Sequence, residues 1–346
     1  MNTPLHIRHV NLARGFRGGE RQTVLLIQAL AALGLKQSLV CRRDSWIPAE
    51  LENVAVSIIH ADHQLAGHFN GGRADLVHAH EAKAVHWAYV HQRLRSTPYL
   101  LTRRVPQPVK DKFFNRRTYA KARCTVAISS VIETHLCQRN WGETARIPSA
   151  LAHLPANAEQ VDALKARFAH RFVVGHVGAL VDRHKGQRLL IDAARQLHDS
   201  HPELLFLFLG EGEDEAALKR ESADLDNVVW EGFKKNVGDY LEAMDLFAFP
   251  SRNEGLGSIL LDVMDHDVPI VAAAVDGIPD IVIDDDSGVL VPGEDSTALA
   301  QAIAELASDA ARRERLASGA KRRLGAFTPA AMASAYLTLY RRLLTR

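Results

Sequence analysis

Two acids and two bases in the second half of the chain stand out for their spacing around glycines. In FPSRNEGLGSILLDVMDHD, Glu254 precedes Gly255-Leu256-Gly257 and a helix-like run that carries Asp262 eight residues on. Glycines at a helix start leave backbone N–H groups open to phosphate or sugar oxygens. A carboxylate beside them accepts hydrogen bonds from sugar hydroxyls. Unbroken helix would set Asp262 about two turns further along on the same side, placed to accept from a ribose. Read alone, Glu254 is equally a complement to a helix dipole, worth ~0.3–1 kcal/mol. Upstream, VGALVDRHKGQRLL puts Arg183 and Lys185 in a loop between an apolar strand and a helix. Ligands of open α/β sheets bind beyond the carboxyl ends of the strands, and two cations there suit a diphosphate. A solvated basic loop is the other reading.

The first half offers a second set. VNLARGFRGGERQTV runs strand, glycine turn (15–19), helix, with Gly18 and Gly19 free of a Cβ that would keep a ligand away. The spacing is not G-x-G-x-x-G, so the dinucleotide fingerprint fails, and a ligand-free turn fits as well. His78 and His80 share one face of a strand-like run. His80 lies near its end with Glu81 beside it, a place for a substrate contact or for a structural polar pair. His176, inside an apolar strand, reads as a satisfied core histidine. Residues 103–123 hold eight basic residues against Asp111, interleaved with Phe113, Phe114 and Tyr119. Such a face suits an anionic membrane or a phosphorylated lipid or saccharide, or a solvated helix with its aromatics in the core. No nucleic-acid motif accompanies it. Asp284-Asp285-Asp286 reads as a solvated loop, and no metal site is expected.

These groups are carried by alternating elements. LHIRHVNL, QSLVCR, VAVSIIH, ADLVHAH, PYLLTRR and CTVAISS are strand-like in the first half, and FVVGHVGAL, LLFLFLG, VVWEGF, LFAFPS and VPIVAAAV in the second. Helix-like stretches separate most of them, which implies parallel βαβ units. At 346 residues, 47% hydrophobic and 24% charged, the chain is long enough for two globular domains. No apolar run approaches the ~20 residues needed to span a bilayer. The N-terminus lacks the pattern of a signal peptide. Cys41, Cys124 and Cys137 fit neither a disulfide framework nor a zinc knuckle. A cytoplasmic setting follows as the expectation. Residues 1–150 carry a net charge of +11 and residues 151–346 one of −10, as two domains with different partners would. The boundary is expected near 147–160, giving domains 1–150 and 151–328, with the last helix, about 329–346, packing back on the first.

With these pieces in order, the chain resembles family 4 glycosyltransferases. The resemblance rests on PSRNEGLGSILLD followed by VPIVAAAVDGIPDIV and GVLVPGED, and it extends to VGALVDRHKG, FLGEGEDEAAL, VVWEGF and YLEAMDLFAFPS. In the first half it takes in RGFRGGERQ, ADLVHAHEAKAVHWA and AISSVIETHL. It implies a GT-B architecture, two Rossmann-like α/β domains facing a central cleft, and a retaining, metal-independent transfer of a hexosyl group. The co-substrate would be a nucleotide-diphosphate-sugar, a UDP-sugar first and a GDP-sugar second, with no bound cofactor. The acceptor would be a saccharide or lipid-linked glycan, as in lipopolysaccharide or other surface polysaccharide synthesis. The enzyme would work at the inner face of the cytoplasmic membrane.

Matched position by position, Lys185 corresponds to the lysine that binds the donor diphosphate, and Glu254 to the acid that contacts the donor sugar. Gly255, Leu256 and Gly257 correspond to the amides that hold sugar or phosphate, Asp262 to the ribose-binding acid, and Gly18 and Gly19 to the glycine-rich loop. Three departures stand out. Asp262 replaces a glutamate. Ala179 replaces an arginine, for which Arg183 is the substitute, at a cost of ~1.5–3 kcal/mol for a lost charged hydrogen bond. Arg103 and Arg104 stand where many members carry a functional histidine, and two arginines suggest an anionic acceptor or bound phosphate. Two rival readings remain: a UDP-sugar epimerase on the same fold, and a degenerate, non-catalytic nucleotide-sugar-binding module.

Overall fold

The computed structural model describes residues 5–15 and 17–345. Position 16 of the expected 15–19 turn, and residues 1–4 and 346, lie outside the described residues. The chain divides into two compact units, Met1–Ala152 joined by Phe327–Arg346, and His153–Ala326.

The first unit runs β1 (His6–Asn11), α1 (Gly18–Ala32), β2 (Lys36–Cys41), β3 (Val56–His60), β4 (Leu76–Ala79), α2 (Ala82–Arg95), β5 (Tyr99–Arg103), α3 (Phe113–Lys121), β6 (Thr125–Ala127), α4 (Ser130–Arg139) and β7 (Thr144–Arg146). Its sheet has the order β3-β2-β1-β4-β5-β6-β7, with each neighbouring pair parallel. The order reverses between β1 and β4, so a crevice opens beyond their carboxyl ends. One core joins Ile7, Leu26, Leu30, Leu76, Leu100 and Val126 to Met332, Tyr336, Leu339, Tyr340 and Leu343. The last five lie on the chain's final helix, Pro329–Leu344, which packs on α1. Thr328 caps it by accepting from the Ala331 N–H at 3.1 Å, and Pro329 fills its first turn, where a missing N–H costs nothing.

The second unit runs α5 (Ala158–Arg167), β8 (Phe172–Val177), α6 (Asp182–Lys185), α7 (Gln187–Leu197), β9 (Leu204–Leu209), α8 (Glu215–Glu221), β10 (Val228–Gly232), α9 (Val237–Glu242), β11 (Leu246–Phe249), α10 (Ile259–Asp265), β12 (Ile270–Ala273), α11 (Ile278–Ile281), β13 (Val289–Val291), α12 (Ser296–Ser308) and α13 (Ala310–Arg323), which makes the final helix α14. Its parallel sheet has the order β10-β9-β8-β11-β12-β13 and reverses between β8 and β11. β9 (LLFLFL) is buried along its whole length, as helices on both faces require. α7 and α12 lie side by side against the sheet.

Two local expectations change. α1 begins at Gly18, so Gly18 and Gly19 form its first turn and not a preceding loop; neither has positive φ. Asp182–Lys185 is one helical turn, where a loop is expected, ended by Gly186 at φ 66°. The Asp284–Asp286 segment is the exposed loop expected, with Asp285 paired to Arg312 at 3.2 Å and Arg315 at 2.9 Å and Asp286 to Arg322 at 3.5 Å, all from α13.

Candidate functional site

In the second unit the crevice between β8 and β11 gathers the residues singled out by spacing. Gly186 is required there by close approach. A Cβ on it would sit 2.1 Å from the Pro250 carbonyl oxygen, so only glycine lets the turn after α6 lie on the end of β11. The Arg252 and Asn253 N–H groups donate to the His184 carbonyl oxygen at 2.9 and 3.2 Å, tying the two loops together. Buried Asp182 adds a side-chain tie, 3.0 Å from Arg188 and 3.6 Å from Arg252. On this frame Lys185 Nζ donates to Glu254 Oε2 and lies 5.3 Å from the centre of the Phe249 ring. Both side chains of this ion pair are largely buried, at 23% and 16% exposure.

Glu254 is held through its own backbone as well. Its N–H donates to Asp276 Oδ2 at 2.9 Å, and its carbonyl accepts from the Gly277 N–H at 3.2 Å. A Cβ on Gly277 would meet the Gly255 carbonyl at 2.2 Å, so the loop after β12 closes on the Gly255-Leu256-Gly257 segment. Leu256 is buried and Gly257 has φ 82°. This left-handed residue delays α10 until Ile259, so the eight-residue spacing from Glu254 to Asp262 is not two helical turns. Asp262 itself is buried on the first turn of α10. Arg183 points elsewhere: it is exposed and pairs with Glu213 at 2.8 Å, because residues two apart on a helical turn face different sides. His176 is buried between Ala248 O, 3.0 Å from its Nδ1, and Gln187, and burial holds it down to about 4. Asp182, Phe249, Arg252 and Asp276 were not singled out by spacing. The glycine in VDGIP directly after an apolar strand is the signal that marks Asp276.

In the first unit the crevice between β1 and β4 holds a different set. His80 is buried at the carboxyl end of β4, with Nε2 2.9 Å from His9 Nδ1. Its ring lies 3.9 Å from that of His78, whose two nitrogens reach Tyr340 Oη and Thr102 Oγ1, each at 2.7 Å. Burial pulls all three histidines down, His9 to about 4, and holds His78 and His80 well below the ordinary range. Nitrogens of His9, His78 and His80 come within 4.8 Å of one another. The 2.9 Å His9–His80 separation is a hydrogen-bond length, shorter than the roughly 3.3 Å between ligands of a tetrahedral metal with ~2.0–2.1 Å bonds. His9 and His80 are hydrogen-bonded to each other, and His78 to Tyr340 and Thr102.

Glu81 is the N-cap of α2: it accepts from Lys83 N–H at 2.6 Å, Ala84 N–H at 2.7 Å and, across the crevice, Leu12 N–H at 3.2 Å. Burial raises its pKa against those hydrogen bonds. Arg103 and Arg104 do not form one site. As neighbours leaving a strand they take opposite faces of the sheet. Arg103 joins His86, Lys110, Asn115 and Tyr119 around a groove of about 240 Å³ beside α2 and α3. Arg104 turns to the α1 face, where it donates to Ser149 Oγ at 3.2 Å and its Cδ lies 3.6 Å from a Cβ built on Gly19. The α1 N-terminus, Arg104 and His80 are thus the groups of this crevice. In the 103–123 segment, Tyr119 is buried while Phe113 is 79% exposed, with Phe114 43% exposed beside it.

Residues 171–309 match the family model described as Glycosyl transferases group 1. The chain is 38% identical over 107 residues to a D-inositol 3-phosphate glycosyltransferase of Xylanimonas cellulosilytica, covering 31% of this chain and 26% of that one. It is 31% identical over 171 residues to the lipopolysaccharide core biosynthesis glycosyltransferase LpsE of Rhizobium meliloti, covering 48% and 49%. The chain thus spans no more than about half the length of these curated relatives. Its fold superposes on Anabaena HepE, solved with UDP and glucose, with a TM-score of 0.83 at 18% identity over 98% of this chain and 100% of that one. The matched segment contains Lys185, Glu254 and Asp262, and the chain is therefore similar in sequence to group 1 glycosyltransferases and carries two Rossmann-like units of the GT-B kind.

Proposed function

We propose that this chain is a retaining glycosyltransferase that moves a sugar from a nucleoside-diphosphate sugar to a hydroxyl of a glycan or lipid-linked acceptor. The Lys185–Glu254 pair, set at the switch point of the second sheet inside the family-matched segment, carries the reading. A lysine there offsets charge growing on the leaving diphosphate, and Glu254 takes up sugar hydroxyls. Backbone N–H groups around Gly255–Gly257 add neutral donors, and Asp262 serves the ribose. In the transfer step the acceptor oxygen bonds to the anomeric carbon on the face from which the diphosphate departs. The C1–O bond to phosphate breaks, and the acceptor proton passes to a phosphate oxygen of the leaving group. No metal is assigned a part in these steps.

UDP is the favoured nucleotide, since the HepE structures of the same fold contain UDP, UDP-glucose or UDP with glucose. Relatives named for lipopolysaccharide core synthesis support a surface-glycan acceptor. The basic 103–123 face, with Phe113 exposed, would meet an anionic membrane carrying a lipid-linked acceptor. Among the described residues no helix is long and apolar enough to cross a membrane.

The test is thermal stability of the purified chain with UDP, GDP, ADP, dTDP or CMP. A ligand at 100 times its Kd adds ~2.7 kcal/mol. One nucleotide should stabilise the wild type and fail to stabilise Lys185→Ala. No stabilisation by any of them would sink the reading, and conversion of a free UDP-sugar without acceptor would replace it with epimerisation.

A further inference from the structure

A polar chain runs from the interior of the first unit to the carboxyl end of β4, and its direction can be read from its inner end. Gln37 Nε2 donates to the Ile27 carbonyl oxygen at 3.0 Å. This orients the amide so that Oε1 faces His9 Nε2, also at 3.0 Å. The reversed amide would set two oxygen acceptors against each other at Ile27. His9 Nε2 therefore carries the proton. The ring is neutral, since burial holds it at about 4, and so its Nδ1 is a lone pair. That lone pair lies 2.9 Å from His80 Nε2, which must donate. His80 is also neutral, which leaves its Nδ1 unprotonated. This last atom is buried and has no hydrogen-bond partner in the protein.

We infer that Gln37 and His9 are positioning residues that fix His80 in its Nε2–H tautomer, so that His80 Nδ1 offers a lone pair to a neutral hydroxyl of the substrate. The inference rests on the proposed transferase reading only in taking that hydroxyl to be a sugar's. An unpaired buried acceptor is costly and calls for a partner in the working state. The lone pair repels an anion, and the positive charge of Arg104, close enough to act on His80, disfavours a cation. A neutral donor remains, and on a sugar that is chiefly an O–H. The same relay explains why Gln37 and His9, buried within the sheet, are polar at all.

The test is nitrogen-15 NMR of the full chain labelled at histidine, at pH 7.5, with His80 assigned by the signals lost in His80→Gln. The expected spectrum shows a protonated Nε2 and an unprotonated Nδ1 for His80, unchanged when millimolar inorganic phosphate is added. In Gln37→Leu the two His80 nitrogens should move toward averaged shifts as both tautomers populate; His9→Phe is the substitute if that variant does not fold. A protonated Nδ1 in the wild type, protonation of His80 by phosphate, or an unmoved tautomer in the variant overturns the inference. None of these readouts depends on turnover, so absence of transferase activity alone would count against the proposed function and not against the relay.

Discussion

Removing the carboxylate of Glu254 should tighten the binding of a bare nucleoside diphosphate. Lys185 is already engaged within the protein, because its ammonium donates to Glu254 Oε2. A diphosphate that recruits Lys185 must compete with that contact and must also approach a carboxylate. The two side chains are 23% and 16% exposed, so bulk water does little to screen them. A hydrogen bond to a charged partner is worth ~1.5–3 kcal/mol. The ammonium has three protons and can be shared, so the low end applies, about 1.5 kcal/mol or roughly tenfold in Kd. Calorimetric titration of UDP is the assay, with wild type, Glu254→Gln and Lys185→Ala compared at one ionic strength. Glu254→Gln should bind UDP roughly tenfold more tightly, while Lys185→Ala binds it more weakly. Under the proposed function, sugar transfer by Glu254→Gln should nevertheless fall, because the carboxylate assigned to the sugar hydroxyls is lost. An unchanged Kd in Glu254→Gln, or one weakened as in Lys185→Ala, would refute the idea that the two partners compete for the lysine.

Three further outcomes are expected. His9 and His176, both held down to about 4 by burial, should make the protein lose stability as pH falls from the unfolded value of 6.5 toward 4; each adds a slope of up to ~1.4 kcal/mol per pH unit, and a flat melting temperature across that window would contradict it. Gly186→Ala puts a Cβ 2.1 Å from the Pro250 oxygen at φ 66°. Urea unfolding should show a loss of at least ~1–3 kcal/mol, together with loss of UDP binding. Tyr340→Phe removes the hydroxyl that meets His78 Nδ1 at 2.7 Å; it should cost ~1–3 kcal/mol by denaturant unfolding, against near-neutrality for an exposed Tyr→Phe control.

The strand–helix alternation was plain in the sequence because buried parallel strands are short apolar runs, as LLFLFL and FVVGHV show. The short edge strand β7 (TAR) carries no such signal, since its residues are half-exposed. The proximity of Lys185 to Glu254 follows from the order of the motifs. What holds them does not: Asp182, Arg252 and Asp276 act through loop-to-loop contacts that depend on strands brought together by the sheet. Arg103 and Arg104 show the limit from the other side. Adjacent in sequence and alike in charge, they are divided by the pleat of a single strand. His80 was legible as a candidate but the relay was not, because Gln37 and His9, neither marked by spacing, reach it from separate strands, paired in register Ile7 with Gln37 and His9 with Leu39.

The final helix belongs to the first unit although 174 residues of the second, 153–326, lie between it and the rest. On the ribosome that interval has a duration. At ~5–20 residues per second, roughly 10–35 s pass between the emergence of β7 and that of α14. Throughout that time the α1 face of the first sheet lacks Met332, Tyr336, Leu339, Tyr340 and Leu343, and His78 lacks its hydroxyl partner. The second unit, being continuous in sequence, can complete itself first. The order of completion is thus the reverse of the order of synthesis, and the nascent first unit is the species in which an apolar surface stays open to chaperones.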